Sequence, residues 1–521
     1  MNTLSQIISV YSQMRRKNIL HFLITFLLTF ICLYIVSPGT SPSNPYLCTD
    51  TSVFLTMGTA FTDGALPYRD YFDHKGPLLY YIYAIAQYDE LGKFGIFILQ
   101  TLAWSISIFA IWKTLRIFIR RDLSLVSLIV FLLCSFACLG GGGLTEDWSL
   151  PVSSVLLYII LNHLKSCNQA STIPNWMWFC LGLGIAWHSM LRITNAGVTS
   201  GEIFALLILL AYEKSWKKMV ISIIWMLLGF FIVIFPIIMH FVIENAEKDL
   251  WYGLYDFNHK YAIKAYGNKN TLNIFFKIIP AISIIVTMCT FCKFSKLTNK
   301  IKLIIFSTTI STTISVLPGY AFDHYFINFA PIICFSLIIF CLFITEYSNI
   351  KKATKYFITF STLALLVAPY IMGMKRNLRQ GIVCTLKPGH PVGEYNKYTT
   401  AQRFSELIKA SKSSRVLAID CAAEVYCYMG IKPCDKFFFL QSFLSRSDPQ
   451  IKVYLTERLS NNNSAPDWII LPKRDLDEKK SINTIDKDFA SIIKANYLHV
   501  DSAPLHKGKL DHSYSLYRRK Q

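Results

Sequence analysis

Charge is scarce in this chain: Asp, Glu, Lys and Arg make up 16% of its 521 residues, against about 25% in an average soluble domain. With 53% hydrophobic residues and a mean hydropathy of +0.39, that deficit excludes an ordinary soluble globule and points to lipid as the solvent. No small-x-small cleavage site follows the first apolar run, Asn18 to Pro38, which is also long for a signal-peptide core. Preceded by Arg15, Arg16 and Lys17, it reads as a retained anchor. No internal repeat is evident, which weighs against inverted-repeat transporter folds. Most of the 14 cysteines lie inside apolar runs, so a metal site built from them is not expected. The apolar runs themselves are nearly free of ionisable residues.

Runs of about 20 apolar residues are abundant, each long enough to cross roughly 30 Å of hydrocarbon. About eleven transmembrane helices are expected, near residues 18–37, 95–112, 123–140, 149–164, 175–191, 196–212, 219–243, 273–292, 301–317, 325–345 and 356–374. The segment Pro77 to Tyr88 is apolar but too short to span, and is expected at the interface. The net charge of +20 is not read as a nucleic-acid footprint, because the cations are spread over short linkers rather than one soluble face. They fall at Lys113, Arg116, Arg120 and Arg121, at Lys165, at Lys214, Lys217 and Lys218, at Lys293, Lys296, Lys300 and Lys302, and at Lys351, Lys352 and Lys355. Positive-inside counting makes these linkers and the N-terminus cytoplasmic and the C-terminal region extracytoplasmic.

The expected architecture is therefore a polytopic α-helical membrane domain, 1–374, with outer loops at 39–94 and 244–272. A small extracytoplasmic α/β domain follows at 375–521. There RVLAI from Arg415 and WIIL from Trp468 read as buried strands, and YLHV and SYSLY as a closing hairpin. Cys384, Cys421, Cys427 and Cys434 fall in this region, either as disulfides in an oxidising compartment or as unpaired small residues.

On this topology the ionisable residues gather at the outer face. The first outer loop carries Asp50 and then Arg69, Asp70, Asp73, His74 and Lys75 among aromatic residues. Four glycines from Gly140 lead to Glu146 and Asp147, adjacent acids that are costly at a membrane edge without a partner or a hydrated cavity. His188 and Arg192 stand four residues apart, a spacing that on one helix face suits a phosphate. The second outer loop interleaves His259, Lys260 and Lys264 with aromatics and reads as an interfacial amphipathic helix, or a lid over a lipid-linked substrate. Asp323, His324 and Tyr325 open a late span. Chemistry at the outer leaflet, on a substrate whose tail stays in lipid, fits this placement.

These pieces resemble bacterial membrane glycosyltransferases of the GT-C fold, in the branch of protein-mannosyltransferases and the lipid A aminoarabinose transferase. The matching features are Asp50 after span one, the loop Tyr68 to Ile82, the acidic turn Glu146-Asp147, and the turn Asp323-His324-Tyr325. Many members carry Lys-Pro-Pro where this chain has Lys75-Gly76-Pro77. The resemblance implies an inverting transferase that moves a sugar from a polyprenyl-phosphate donor to a glycan, lipid or protein acceptor. It implies Asp50 as general base, and Glu146 or Asp147 positioning the acceptor or assisting the base. Lys75, with Arg192 or His324, would hold the phosphate; Arg69, Asp73, His74, His188, His259, Lys260, Asp323 and Tyr325 complete the candidate substrate site. The resemblance fixes no cofactor; the carboxylates of the site could ligate a divalent metal or work without one. The partners expected are the lipid-linked donor, membrane lipid and the acceptor, not nucleic acid. A transporter or flippase for a lipid-linked glycan, and a non-catalytic scaffold, are the alternative readings; the first needs a continuous polar path through the spans.

Overall fold

The computed structural model describes residues 2–267, 293–316, 322–346, 375–384, 386–387, 392–411, 415–461, 463–472, 485–502 and 514–520. Its helices are α1 (Asn2–Val36), α2 (Thr49–Thr62), α3 (Pro77–Ala86), α4 (Gly92–Phe118), α5 (Arg121–Ala137), α6 (Thr145–Cys167), α7 (Asn175–Leu191), α8 (Gly197–Tyr212) and α9 (Trp216–Ile243). They continue as α10 (Glu247–Trp251), α11 (Phe257–Gly267), α12 (Asn299–Val316), α13 (Ala330–Glu346), α14 (Val392–Ala410), α15 (Glu424–Met429), α16 (Gln441–Ser447), α17 (Pro449–Ser460) and α18 (Lys487–Asn496). Four strands complete the chain: β1 (Val416–Ala418), β2 (Trp468–Pro472), β3 (Tyr497–Ser502) and β4 (Tyr514–Arg519). Two compact units result. One comprises Met1–Ser37, Phe97–Pro236 and Asn270–Arg379; the other comprises Pro38–Ile96, Ile237–Lys269 and Gln380–Gln521.

Among the described residues six stretches are long and apolar enough to cross a membrane: Arg16–Val36, Gly92–Phe118, Thr145–Cys167, Ile193–Tyr212, Trp216–Ile243 and His324–Glu346. The spans expected at 123–140 and 175–191 fall on α5 and α7, of 17 residues each. At 1.5 Å per residue these are about 25 Å long, short of the full core. The expected span at 301–317 falls on α12, while 273–292 and 356–374 lie outside the described residues. Six of the eleven expected spans thus meet this measure among the described residues, and two lie outside them. At ten residues α3 is about 15 Å long and cannot cross.

In the first unit the helices meet through small residues, as helices in lipid do when dispersion rather than water expulsion holds them. A Cβ at Gly201 of α8 would lie 2.5 Å from the Thr308 Cα of α12, and one at Gly182 of α7 would lie 1.9 Å from the Met226 carbonyl of α9. Trp104, Trp178 and Phe131 are fully buried inside, whereas Phe204, Phe231 and Phe235 face outward. At one end Glu213 ties three segments together. Its two carboxylate oxygens accept from the Ala170 and Ser171 amides, each at 2.9 Å, and it pairs with Lys300. Partial burial alone would raise this carboxyl; Lys300 and the two amides prevail and pull it down to about 2.

The second unit is built on one sheet of order β1-β2-β4-β3. β1 pairs parallel with β2 (Val416 opposite Trp468), and β4 pairs antiparallel with both β2 and β3. Leu417, Ile419, Ile469 and Leu471 pack beneath Leu455, Leu459, Phe489 and Ile493, and two loop residues, Phe72 and Phe257, enter the same core. Cys384, Cys421, Cys427 and Cys434 are buried or half-buried thiols. The segment expected to lie as an amphipathic helix on the membrane surface is helical, with Trp251, Tyr255 and Ile263 exposed. It forms α10, a π-helical turn (Tyr252–Asp256) and α11. Tyr252 donates to Asp448 at 2.8 Å, Lys260 pairs with Asp448 at 2.7 Å, and Lys436 pairs with Asp249 at 3.0 Å. Tyr252, Phe257 and Tyr261 pack on the core of the sheet, where that core offers an apolar partner and a buried carboxylate that needs a cation.

Two outcomes follow. Gly201→Leu forces α8 and α12 apart and lowers the melting temperature in detergent by several degrees, whereas Phe204→Leu on the outward face leaves it nearly unchanged. Glu213→Gln lowers the melting temperature at neutral pH. Because the folded carboxyl titrates below its ordinary 4.5, its contribution is complete above that pH and lost as the pH falls towards 2. The gap between wild type and variant should therefore close across that interval in melts recorded against pH.

Candidate active site

In the first unit the chain must turn between α5 and α6, and it does so with Gly140, Gly141, Gly142 and Gly143 at φ of 61°, 110°, 91° and 76°. Side chains are excluded there for a second reason: a Cβ at Gly142 would sit 2.0 Å from Ser37 Oγ, and one at Gly140 2.9 Å from His324 Cβ. Asp147 closes the turn. One carboxylate oxygen accepts from the Leu144 amide at 2.8 Å, the other from Gln100 Nε2 at 3.2 Å and from the Trp104 indole. With the carboxylate fully buried and three donors on it, Asp147 acts as the positioning group of the turn. Gln100 and Trp104 escaped notice in the sequence. Their signal is an i, i+4 pair of hydrogen-bonding side chains on an apolar helix.

Glu146, also buried, points elsewhere. Its Oε1 meets Arg192 Nη1 at 3.2 Å and its Oε2 accepts from Thr145 Oγ1 at 2.9 Å. The Arg192 guanidinium lies 3.7 Å from the centre of the Tyr325 ring, and His324 packs edge-on against that ring at 4.6 Å. Glu146, Arg192, His324 and Tyr325 thus form one constellation, an arginine held by a carboxylate at its edge and an aromatic ring at its face. The Asp323 side chain lies outside the described residues. Beneath lies an amide relay that the sequence did not reveal: Asn328 Nδ2 donates to Asn195 Oδ1 at 3.0 Å, and Asn195 Nδ2 donates to Ser149 Oγ at 2.9 Å.

His188 does not join Arg192. The Arg192 amide still donates to the His188 carbonyl at 2.7 Å, but α7 ends at Leu191 and Arg192 is extended (φ −169°), which turns its side chain off the face His188 occupies. His188 is instead fully buried, its Nε2 3.3 Å from Ser153 Oγ and 3.2 Å from Thr199 Oγ1. The expectation of spans almost without ionisable groups also needs correction. Glu202 of α8 is fully buried, and neither of its carboxylate oxygens has a hydrogen-bond partner among the described residues.

In the second unit Asp50 occupies the first turn of α2, where the helix dipole favours an anion, and its side chain is exposed. The loop from Tyr68 is bolted down at both ends. Tyr68 takes a left-handed backbone (φ 67°), and its hydroxyl donates to the Lys75 carbonyl at 2.5 Å. Tyr71 Oη donates to the Pro433 carbonyl, and the Phe72 amide to that of Lys436, both at 2.9 Å. Arg69 serves this framework, pairing with Asp70 at 3.1 Å and Glu244 at 3.4 Å.

Between those ends sits a buried cluster. Asp73 accepts from Tyr80 Oη at 3.0 Å, with His74 Nδ1 3.4 Å and Lys75 Nζ 3.9 Å from its other oxygen. Burial alone would raise the Asp73 carboxyl, but Lys75 and then His74 outweigh it and hold the group below its ordinary value. The same burial, with Asp73 beside them, pushes the Tyr80 and Tyr68 phenols well up, so both remain donors. His74 packs against Phe257 and Tyr261, and Asn258 Nδ2 donates to its carbonyl at 2.9 Å. Lys260 is committed to Asp448, and the exposed His259 stacks on Tyr255. Neither joins the Asp73 cluster. Among the described residues no three His, Cys, Asp or Glu side chains gather as metal ligands. The oxygens of Asp147 and Glu146 are already engaged by donors.

No protein-family model matches the chain, and no curated protein matches it. Solved structures do. ArnT from Cupriavidus metallidurans, crystallised with undecaprenyl phosphate, superposes with a TM-score of 0.57 at 10% identity, over 95% of this chain and 97% of that one. Two oligosaccharyltransferase structures from Archaeoglobus fulgidus align less well. The complex with zinc and sulfate has a TM-score of 0.45 (9% identity, 87% of this chain, 68% of that one). AglB with an inhibitory peptide and a dolichol-phosphate has 0.49 (10%, 88% and 69%). The likeness to ArnT extends over nearly the whole of both chains, and with the apolar helices it settles the fold: the chain is a multi-pass membrane protein with the GT-C glycosyltransferase fold.

Proposed function

We propose that the chain is an inverting glycosyltransferase that moves a sugar from a polyprenyl-phosphate donor to a glycan, lipid or protein acceptor at the outer face of the membrane. The observation that carries this reading is the near full-length likeness to a protein solved with undecaprenyl phosphate. The residues supply suitable chemistry. Asp50 is an exposed carboxylate with no cation paired to it among the described residues, and serves as general base towards the acceptor hydroxyl. The leaving group is a phosphate, so neutralising its charge matters more than protonating it. Arg192, held by Glu146 and Tyr325, and Lys75, held beside Asp73, are the cations for that task. Glu146 orients Arg192, and Asp147 orients the turn that presents Glu146. Any divalent metal would have to draw on these same carboxylates.

The buried Glu202 and His188 are the observation that favours the transporter reading, since ionisable groups inside spans mark transport paths. Two such residues do not make a continuous polar path, and the transferase reading stands first.

Three variants separate the roles. Asp50→Asn lowers transfer from a polyprenyl-phosphate sugar by about 10²–10⁴-fold without changing the melting temperature, because its side chain is exposed; wild-type transfer would remove it as the base. Asp147→Asn leaves one oxygen for three donors and lowers the melting temperature, with activity falling alongside the folded fraction. Glu202→Gln retains transfer, whereas loss of lipid-linked glycan movement in proteoliposomes with no transfer in either protein would favour the transporter. The donor is identified by deleting the gene and asking which polyprenyl-phosphate sugar accumulates.

A further inference from the structure

At the end of the first unit opposite the glycine turn, the tips of α4, α5 and α6 border an open, solvent-facing cavity of about 580 Å³. Arg116, Arg120, Arg121, Lys165 and Lys296 line it, with Asp122 the sole carboxylate among the lining residues. Three neighbouring contacts shape it. Arg116 Nη1 donates to the Ile119 carbonyl at 3.3 Å, Lys165 Nζ donates to the Lys296 carbonyl at 3.1 Å, and Arg120 meets Asp122 at 3.4 Å. The one carboxylate among the lining residues is thus already paired, and the other four cations have no ion-pair partner among the described residues.

Helix electrostatics accounts for part of this. Arg116 and Lys165 lie in the last turns of α4 and α6, where the dipole favours cations. Arg120 and Arg121 stand at the opposite pole, as N-cap and first residue of the 17-residue α5, and no side chain caps that terminus. There the dipole and the two guanidiniums repel, so local helix energetics does not explain them. An anion in the cavity satisfies all of these groups at once. A phosphate presents several acceptor oxygens to guanidinium forks, and the cavity has the volume of small-ligand sites. Helix tips of a multi-pass protein also lie at the depth of lipid phosphates, where basic pockets hold anionic headgroups.

We propose that this cavity is a binding site for a phosphate-bearing anion, presented by a phospholipid headgroup or free in solution, and separate from the transfer chemistry. The test is the melting temperature of the purified full chain under three conditions. These are nanodiscs of phosphatidylcholine alone, nanodiscs of equal parts phosphatidylcholine and phosphatidylglycerol, and phosphatidylcholine nanodiscs with inorganic phosphate replacing chloride at matched ionic strength. Wild type should melt several degrees higher with phosphatidylglycerol, with inorganic phosphate, or with both. The first result makes lipid the source and the second the free anion. Arg116→Gln/Arg121→Gln/Lys165→Gln should lose most of that rise. Because removing three cations can disturb membrane insertion, Arg116→Lys/Arg121→Lys provides the second arm. It keeps the charge but not the bidentate fork, and should show a clearly smaller rise than wild type. No rise in wild type under either condition, or an undiminished rise in both variants, overturns the proposal.

Discussion

The Asp147 carboxylate and the three donors it accepts are the interaction on which the first unit turns. Four successive residues in left-handed conformations leave a chain with no repeating hydrogen-bond pattern. In a low-dielectric interior, unsatisfied backbone groups cost several kcal/mol each. Asp147 ties the Leu144 amide to Gln100 and Trp104 of α4, and Ser37 Oγ donates to the Gly141 carbonyl at 3.2 Å. Helices far apart in sequence are locked to one turn, and Glu146, the next residue, is thereby aimed at Arg192.

A second constraint is that a cation in such surroundings needs a partner. Arg192 has Glu146, Lys75 has Asp73, Lys260 has Asp448 and Lys300 has Glu213. These pairings sort the candidates. Lys260 and Arg69 are occupied in joining loops to the sheet of their unit. Arg192 is pre-oriented with its face on Tyr325, and Lys75 sits at the half-buried edge of the Asp73 cluster. An ion pair of this kind keeps a guanidinium or ammonium charged and held in place, which suits a group that meets a phosphate during reaction. The cations of the open basic cavity at the other end of the unit are exposed to solvent, so they stand without this requirement.

Much of the fold was legible because lipid imposes a coarse and strong rule. An apolar run of sufficient length becomes a helix, and six such runs do so as spans by length and composition. The strands at Val416 and Trp468 were equally legible from β-branched and aromatic content between turns. Local turn chemistry showed too, since four glycines before two acids have few uses other than a tight turn. Less legible was anything that depended on where a helix stops. His188 and Arg192 share a face only if α7 continues, and it ends between them. Glu202 passed unnoticed because one carboxyl in an apolar run does not alter its average.

By itself the sequence determined the solvent, the helical class, the glycine turn and the family resemblance, because composition and short motifs are local properties. Tertiary structure alone decided which of the adjacent acids closes the turn and which holds an arginine. It also decided that the aromatic loop near Phe257 belongs to the core of the sheet, and that Asn195 and Asn328 form a relay. Those outcomes depend on which side chains arrive from distant segments at hydrogen-bond distance, and neither spacing nor composition encodes that distance.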